Sequence, residues 1–298
     1  MAQLVMSVID GYHDLMDNKS DPRVNDWLLM SSPFPTMAIC LSYAYFVKVI
    51  GPKIMENRKP MDLRNVLIFY NLVQVIFSAW LFYESMVAGW LHYNYRCQPV
   101  DYSYSPRALR MARGCWWYYF SKFTEFMDTI FFVLRKKNDH ITTLHVIHHG
   151  VMPMSVWFGV KFTPGGHSSF FGMLNTFVHI IMYLYYLLAA FGPRFQKFLW
   201  WKRYLTVLQM VQFVLVMVHA FQLLFIDCNY PKAKKQARKE ALANEMKAKE
   251  QELKKLEEEK KANSEISSNG TAFYQQPDAP PSSYTTEPRH RAFVNGLK

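Results

Sequence analysis

Long apolar segments between residues 27 and 231 are the feature that most constrains how this chain can fold. Six of them reach the roughly 20 residues that a helix needs to cross a lipid bilayer. We predict spans at about 28–50, 65–91, 115–134, 144–163, 168–191 and 203–226. Helices satisfy their own backbone hydrogen bonds, as the bilayer interior requires. The sequence therefore predicts an all-α polytopic membrane protein with six transmembrane helices.

Composition divides the 298 residues into four parts. We predict an N-terminal luminal segment at 1–27 and a membrane-embedded domain at 28–231. Residues 232–262 are rich in Lys, Glu and Ala and favour a basic helix, whereas Ser, Pro and Gly at 263–298 are typical of disorder. Much of the net charge of +11 lies outside the spans, and nothing in the pattern points to a nucleic-acid partner.

The positive-inside rule gives an orientation, because Lys and Arg concentrate in the loops after the first, third and fifth spans. Those loops should be cytosolic, which places the N-terminus and residues 92–114 in the lumen. Four arginines in 92–114 weaken the rule. Asn18 begins a luminal glycosylation sequon in this orientation. Cys97 and Cys228 fall on the same oxidising side, where they can pair or remain two free thiols.

Three histidines at the start of the fourth span are the clearest functional signal. His145, His148 and His149 are spaced i, i+3 and i+4, so they share one face of a helical turn. Ionisable groups are costly at membrane depth, which makes such a cluster a functional-site hypothesis. Converging imidazoles are typical of a metal site, a proton relay or a nucleophile.

The third span adds Lys122, Glu125 and Asp128, all within two turns. Lys122 and Glu125 are spaced to form an ion pair. Such a network either fixes helix register or orients the histidines and contacts a charged substrate.

Polar groups recur in the last two spans. Asn175, His179 and Tyr183 share a face of the fifth span, where His179 is either part of the site or a core histidine held by a tyrosine hydroxyl. Gln209 and Gln212 in the sixth span more often join helices than catalyse.

A metal site is poorly supported by the number of available ligands. The chain has ten histidines, fewer than a membrane di-iron oxygenase usually supplies from several boxes. His145, His148, His149 and His179 could hold one tetrahedral zinc. No cysteine lies close in sequence to act as nucleophile. A histidine acting as base or nucleophile in a membrane-embedded pocket is the remaining interpretation.

Four motifs in order resemble the signatures of the very-long-chain fatty acid elongases, over roughly residues 25–231. They are Lys122-x-x-Glu125-x-x-Asp128-Thr129, His145-x-x-His148-His149, Asn175-x-x-x-His179-x-x-Met182-Tyr183 and Thr206-x-x-Gln209-x-x-Gln212.

The resemblance implies a 3-ketoacyl-CoA synthase of the endoplasmic reticulum membrane. It would condense a long-chain acyl-CoA with malonyl-CoA, releasing CO2 and CoA, without a metal or other cofactor. Family members form an inverted barrel of seven helices around an acyl-chain tunnel. Implied partners are membrane lipid, the other enzymes of the elongation cycle, and further copies or relatives of the chain in homo- or hetero-oligomers.

The resemblance also assigns roles. His148 matches a nucleophile that forms an acyl-imidazole, His145 and His149 would orient it or move protons, and His179 would lie beside the reaction centre. The supporting residues implied are Lys122, Glu125, Asp128, Asn175, Tyr183, Gln209 and Gln212. Cys97 and Cys228 match a luminal disulfide of the family.

Two features depart from the family pattern. His140 and Thr143 stand where Gln and Phe are usual. After Pro231, where the family continues into a seventh span, no window is apolar enough to cross a bilayer. We therefore expect a form lacking the last barrel helix, whose tail carries a second sequon at Asn269 that would report its side of the membrane. Two alternatives to an active elongase stay open: a catalytically impaired isoform that regulates the full-length enzyme, and a metal-dependent lipid oxygenase.

Overall fold

The structure is a computed structural model that describes residues 1–228, 230, 243, 246–247 and 249–261. Within these residues the regular structure is helical, without a strand, as predicted for an all-α membrane protein. Up to residue 228 the α-helices are α1 (Ala2–His13), α2 (Pro33–Tyr45), α3 (Gly51–Met55), α4 (Arg64–Ser85), α5 (Pro106–Thr124), α6 (Phe126–Leu134), α7 (Thr143–Phe162), α8 (Ser169–Ala190), α9 (Pro193–Gln196) and α10 (Lys202–Phe221).

Helix covers each of the six predicted spans, but the membrane-crossing count is less simple. Among the described residues, four helical stretches are long and apolar enough to cross a bilayer: Pro33–Met55, Arg64–Trp90, Gly166–Ala190 and Lys202–Leu224. The helices over the predicted third and fourth spans, α5 to α7, carry the ionisable residues and fall outside that group. α6 has only 9 residues, whereas polar side chains lower the hydropathy of α5 and α7.

Two predicted span boundaries differ from the helix ends in the structure. The first span is predicted to end at about residue 50, yet a wider π-helical turn at Phe46–Ile50 leads into α3, which reaches Met55. Pro52 lies in the first turn of α3, where its missing N–H is tolerated. The predicted third span instead begins earlier, at Pro106, and is interrupted at Glu125 between α5 and α6.

Helix packing places the polar segments side by side. α4 packs along α8, α7 lies between α2 and α5, and α10 contacts α8. A π-helical turn at Met86–Trp90 extends α4. A 3₁₀ turn at Asn138–His140 precedes α7, and another at Gly166–Ser168 precedes α8. A further 3₁₀ turn, at Gln222–Leu224, follows α10.

Polarity is distributed as expected for a protein in lipid. Asn71, Gln74 and Ser78 of α4 are buried, whereas Val214 and Phe221 of α10 are exposed. An apolar exterior around a partly polar interior suits a bilayer rather than water.

The chain divides into two compact units, Met1–Ala243 and Asn244–Lys298. In the second unit, residues 249–261 form an exposed helix, in the part for which we predicted helix. The predicted disordered tail at 263–298, with Asn269, lies outside the described residues, as do most residues after 231.

Candidate active site

The break between α5 and α6 carries a buried ion pair. Lys122 Nζ lies 2.5 Å from Glu125 Oε1, and the two residues are only 2% and 3% exposed. Their i, i+3 spacing predicted this pair, and the structure confirms it. A buried ion pair needs further hydrogen bonds to offset its desolvation, and these come from α8.

Asn175 and His179 of α8 complete this network. Asn175 Oδ1 accepts hydrogen bonds from Lys122 Nζ at 3.1 Å and Tyr118 OH at 2.8 Å. Its amide nitrogen is therefore free to donate to His179 Nε2, 3.2 Å away. His179 Nε2 then accepts, so the proton of a neutral ring lies on Nδ1, 3.3 Å from Glu125 Oε1. The network holds His179 in one orientation and one tautomer.

Asp128 has a separate partner. The Tyr183 hydroxyl, 1% exposed, donates to Asp128 Oδ2 at 2.8 Å. The Tyr183 ring lies 5.7 Å from the ring of His179. Asp128 thus fixes Tyr183 against His179 instead of joining the Lys122–Glu125 pair.

The histidine cluster begins α7. Thr142 caps the helix, its Oγ1 accepting from the backbone N–H of His145 at 3.2 Å. The His145 and His149 ring centroids are 4.4 Å apart, and those of His148 and His149 are 5.3 Å apart. The three imidazoles share one face, as their spacing predicted.

A hydrogen bond holds the ring of His145, whereas the rings of His148 and His149 make contacts with other rings. His145 Nε2 lies 2.9 Å from Thr129 Oγ1, which is 2.8 Å from the Tyr43 hydroxyl. His148 is exposed, and among the described residues it makes a ring contact with His149 but no hydrogen bond. It lies within electrostatic range of Glu125 and His179. His149 likewise makes ring contacts but no hydrogen bond among the described residues, and it is partly buried, so His148 is the more accessible of the two imidazoles with available nitrogens.

The glutamines of α10 do not enter the cluster directly. Gln209 Nε2 contacts Met182 Sδ at 3.7 Å, between α8 and α10. Gln212 is buried. This agrees with the interpretation of these glutamines as groups that join helices.

A cavity of about 410 Å³ adjoins the Asn175 network, and none of His145, His148, His149 and His179 is among its lining residues. Tyr118, which donates to Asn175, also lines the cavity, as does Met152, one turn beyond His148 in α7. Leu81, Val156 and Val216 supply apolar wall from three different helices. The arrangement joins a polar centre to an apolar chamber of the size that small-molecule sites have.

The described residues contain no group of three or more His, Cys, Asp and Glu side chains placed to hold a metal ion. The four histidines that could supply a zinc site are divided between α7 and α8, where His179 is engaged by Asn175 and Glu125.

Cys97 and Cys228 form a disulfide, with Cα atoms 5.7 Å apart. The bond joins the segment after α4 to the segment after α10, so the two cysteines lie on one side of the helical body. Cys40 and Cys115 are free, and Cys40 is buried.

Comparison with known proteins gives the family. The family model described as ELO, the GNS1/SUR4 family, matches residues 28–249. The chain belongs to the GNS1/SUR4 family. All the site residues above lie within the matched range.

Relatives in this family carry names that describe an activity. The chain is 73% identical over 232 residues to a very long chain fatty acid elongase of Aedes aegypti, covering 77% of this chain and 65% of that protein. It is 75% identical over 224 residues to very long chain fatty acid elongase 7 of Drosophila melanogaster, covering 74% and 68%. Human very long chain fatty acid elongase 1 is 51% identical over 226 residues, covering 75% and 81%. The chain thus spans about two thirds of the length of the two insect relatives.

Sequence reasoning missed two members of this GNS1/SUR4 site. Tyr118 bonds Asn175 and places its ring 4.5 Å from Lys122 Nζ, a cation–π contact. Its position four residues before Lys122 on the same helix was an available signal. Tyr43, which fixes Thr129 and through it His145, comes from α2, and local spacing holds no signal for it.

Proposed function

We propose that this chain is a very-long-chain 3-oxoacyl-CoA synthase that condenses a long-chain acyl-CoA with malonyl-CoA in the endoplasmic reticulum membrane. The observation that carries the proposal is an available imidazole, His148, next to the Lys122–Glu125–Asn175–His179 network. The adjoining apolar cavity has the character that an acyl chain requires.

His148 is the proposed nucleophile. An imidazole nitrogen attacks the thioester carbonyl carbon of the acyl-CoA, an N–C bond forms, and the C–S bond breaks. The CoA thiolate leaves and takes up a proton. Malonyl-CoA then loses CO2, and the resulting carbanion attacks the acyl carbonyl, so that a C–C bond forms and the imidazole leaves. This divides one difficult step into two easier ones.

The network supports the second half of the reaction. An enolate-like charge develops on the malonyl thioester oxygen as CO2 departs. Groups already oriented before the reaction stabilise such charge most effectively. His179, fixed by Asn175 and Glu125, and the amide of Asn175 are the proposed groups for this role. His145 and His149 would position His148 and move its proton.

The test is His148→Ala in the purified protein, with incorporation of labelled malonyl-CoA into 3-ketoacyl-CoA as the readout. We expect condensation to be abolished while the Cys97–Cys228 disulfide and the elution profile are retained. Ile147→Ala, at an exposed neighbour outside the site, is the matched control and should remain active. Full activity of His148→Ala would contradict the proposal.

A second readout addresses the intermediate itself. Incubation with acyl-CoA alone should leave an acyl adduct on the peptide containing His148, detectable by mass spectrometry and absent from His148→Ala. Active protein with the adduct on another residue would refute the role given to His148. Purified protein without any condensing activity would favour a regulatory partner of another elongase.

A further inference from the structure

Two histidines outside the proposed active site stack at one end of the cavity. His167 lies in the turn before α8, and His219 lies near the end of α10. Their ring centroids are 3.8 Å apart with an interplanar angle of 11°, and both residues line the cavity. Thr176, also in the wall, is nine residues along the chain from His167, or about 13 Å along a helix axis. The pair therefore forms the far end of the cavity from Tyr118 and Asn175.

The turn that carries His167 is closely packed. Gly165 and Gly166 have positive φ values of 115° and 63°. A Cβ on Gly166 would lie 2.9 Å from the backbone nitrogen of Val100. The backbone N–H of His167 donates to the Gln98 carbonyl at 2.8 Å, next to the disulfide. The position of the ring is thus fixed by the backbone and by its neighbours.

The hydrogen bonds of the pair define where the protons lie. His167 Nε2 is 2.8 Å from the His219 carbonyl oxygen, which only accepts, so this nitrogen carries the proton. His219 Nε2 is 3.3 Å from the His167 carbonyl and donates in the same way. His219 Nδ1 accepts from Gln222 Nε2 at 3.0 Å, so the His219 ring is fully partnered.

His167 Nδ1 makes no hydrogen bond among the described residues. The residue is 2% exposed, and Nδ1 is the buried side-chain polar atom without a partner among the described residues. With the proton on Nε2, Nδ1 is an acceptor that needs a donor. Buried polar atoms nearly always have partners, so this unpartnered atom, in a residue that lines a cavity, points to a donor from outside the chain.

Several polar groups elsewhere in the wall are already engaged. The hydroxyls of Ser85, Ser169 and Thr176 donate to the backbone carbonyls of Phe82, Gly166 and Met173. Glu84 is held by Arg110 at 2.6 and 3.0 Å. The open acceptor lies instead at the far end, where the terminus of a bound chain would stop.

We propose that His167 forms a hydroxyl-recognising subsite, and that the substrates include acyl-CoAs with a hydroxyl group at or near the end of the chain remote from the thioester. This inference rests on the proposed function, since it presumes that an acyl chain occupies the cavity. A hydroxyl group entering an apolar chamber loses its hydrogen bonds to water. His167 Nδ1 replaces one of them, accepting from the hydroxyl.

The experiment compares two series of saturated acyl-CoAs of equal carbon number, one ending in methyl and the other in a terminal hydroxyl. The readout is kcat/KM for malonyl-CoA condensation. At the chain length that reaches His167, the wild-type protein should use the hydroxylated chain at least as well as the methyl chain. His167→Phe should disfavour the hydroxylated chain by about tenfold or more, because its hydroxyl loses its partner.

Two further variants separate recognition from damage. His167→Gln keeps a donor for the His219 carbonyl and an acceptor for the hydroxyl. It should therefore retain the wild-type ratio of kcat/KM for the hydroxylated chain to kcat/KM for the methyl chain. His92→Phe, at an exposed histidine outside the cavity, is the matched control and should also retain it. A His167→Phe ratio equal to that of the wild type would overturn the subsite.

The wild-type ratio is decisive even if His167→Phe does not fold. Elongation of methyl chains with at least tenfold rejection of hydroxylated chains at every length would overturn the inference and leave the proposed function intact. A water molecule on Nδ1 that no hydroxyl displaces would give this result. Failure to elongate both series would refute the proposed function and, with it, the subsite.

Discussion

Individual side chains in this site contact more than one partner within a shared polar network. Asn175 accepts from two donors and donates to His179, and Glu125 accepts from Lys122 and faces His179 Nδ1. Every member therefore constrains the tautomer or charge of its neighbour. Groups held this way need little reorganisation as charge develops in a transition state.

Removing one partner of the buried Lys122–Glu125 pair should lower the free energy of unfolding far more than removing both charges. Lys122→Met leaves Glu125 charged and buried, and we expect it to lower the free energy of unfolding by about 3–5 kcal/mol. Lys122→Met combined with Glu125→Gln should recover more than half of that loss, yet remain inactive in condensation. Thermal unfolding in detergent and malonyl-CoA incorporation provide the two readouts.

An exposed ion pair supplies the control for this comparison. Lys19 lowers the pKa of Asp14 through a hydrogen bond, but both side chains are well exposed and water screens them. Lys19→Met should therefore leave the unfolding midpoint unchanged. A double variant as unstable as the sum of its two single variants would show that the charges do not act as a pair.

Helical elements show which parts of this architecture local sequence can predict. Spacing within one helix correctly paired Lys122 with Glu125 and grouped the α7 histidines, because i, i+3 and i+4 neighbours are fixed by helix geometry. It failed at the end of the first span, predicted at about residue 50, where a π-helical turn lets the helix continue to Met55. His167 and His219 could not be paired in advance, since 52 residues and three-dimensional packing separate them.

The disulfide should stabilise the C-terminal ends of α4 and α10 together. A cross-link between residues 131 positions apart greatly reduces the conformational entropy of the unfolded chain. We expect Cys97→Ala to lower the free energy of unfolding by about 2–5 kcal/mol, measured by thermal unfolding in detergent. Cys228→Ala and the double variant should show the same loss, because each removes the same cross-link.

Reductant provides the control for the disulfide. It should lower the unfolding midpoint of the wild-type protein and leave that of Cys97→Ala unchanged. If the double variant lost the sum of the two single effects, the cysteines would act separately and not through the bond.

The unit Met1–Ala243 combines an apolar exterior with a partly polar interior. The histidines of α7 begin near the basic segment Arg135–Lys137, whereas His167 lies near the Cys97–Cys228 bond. A disulfide belongs in an oxidising compartment, and basic loops favour the cytosol. The cavity would then receive a chain whose polar head stays near the cytosol and whose far end approaches the lumen.

This orientation can be measured with single cysteines at exposed loop positions. Lys59→Cys should react with a membrane-impermeant thiol reagent in sealed microsomes, because its basic loop is predicted to be cytosolic. Arg96→Cys, in the loop that holds Cys97, should react only after permeabilisation. The wild-type protein is the control, since its free thiols are buried or partly buried. Labelling of Arg96→Cys in sealed microsomes, with Lys59→Cys protected, would reverse the orientation and place the histidines of α7 towards the lumen.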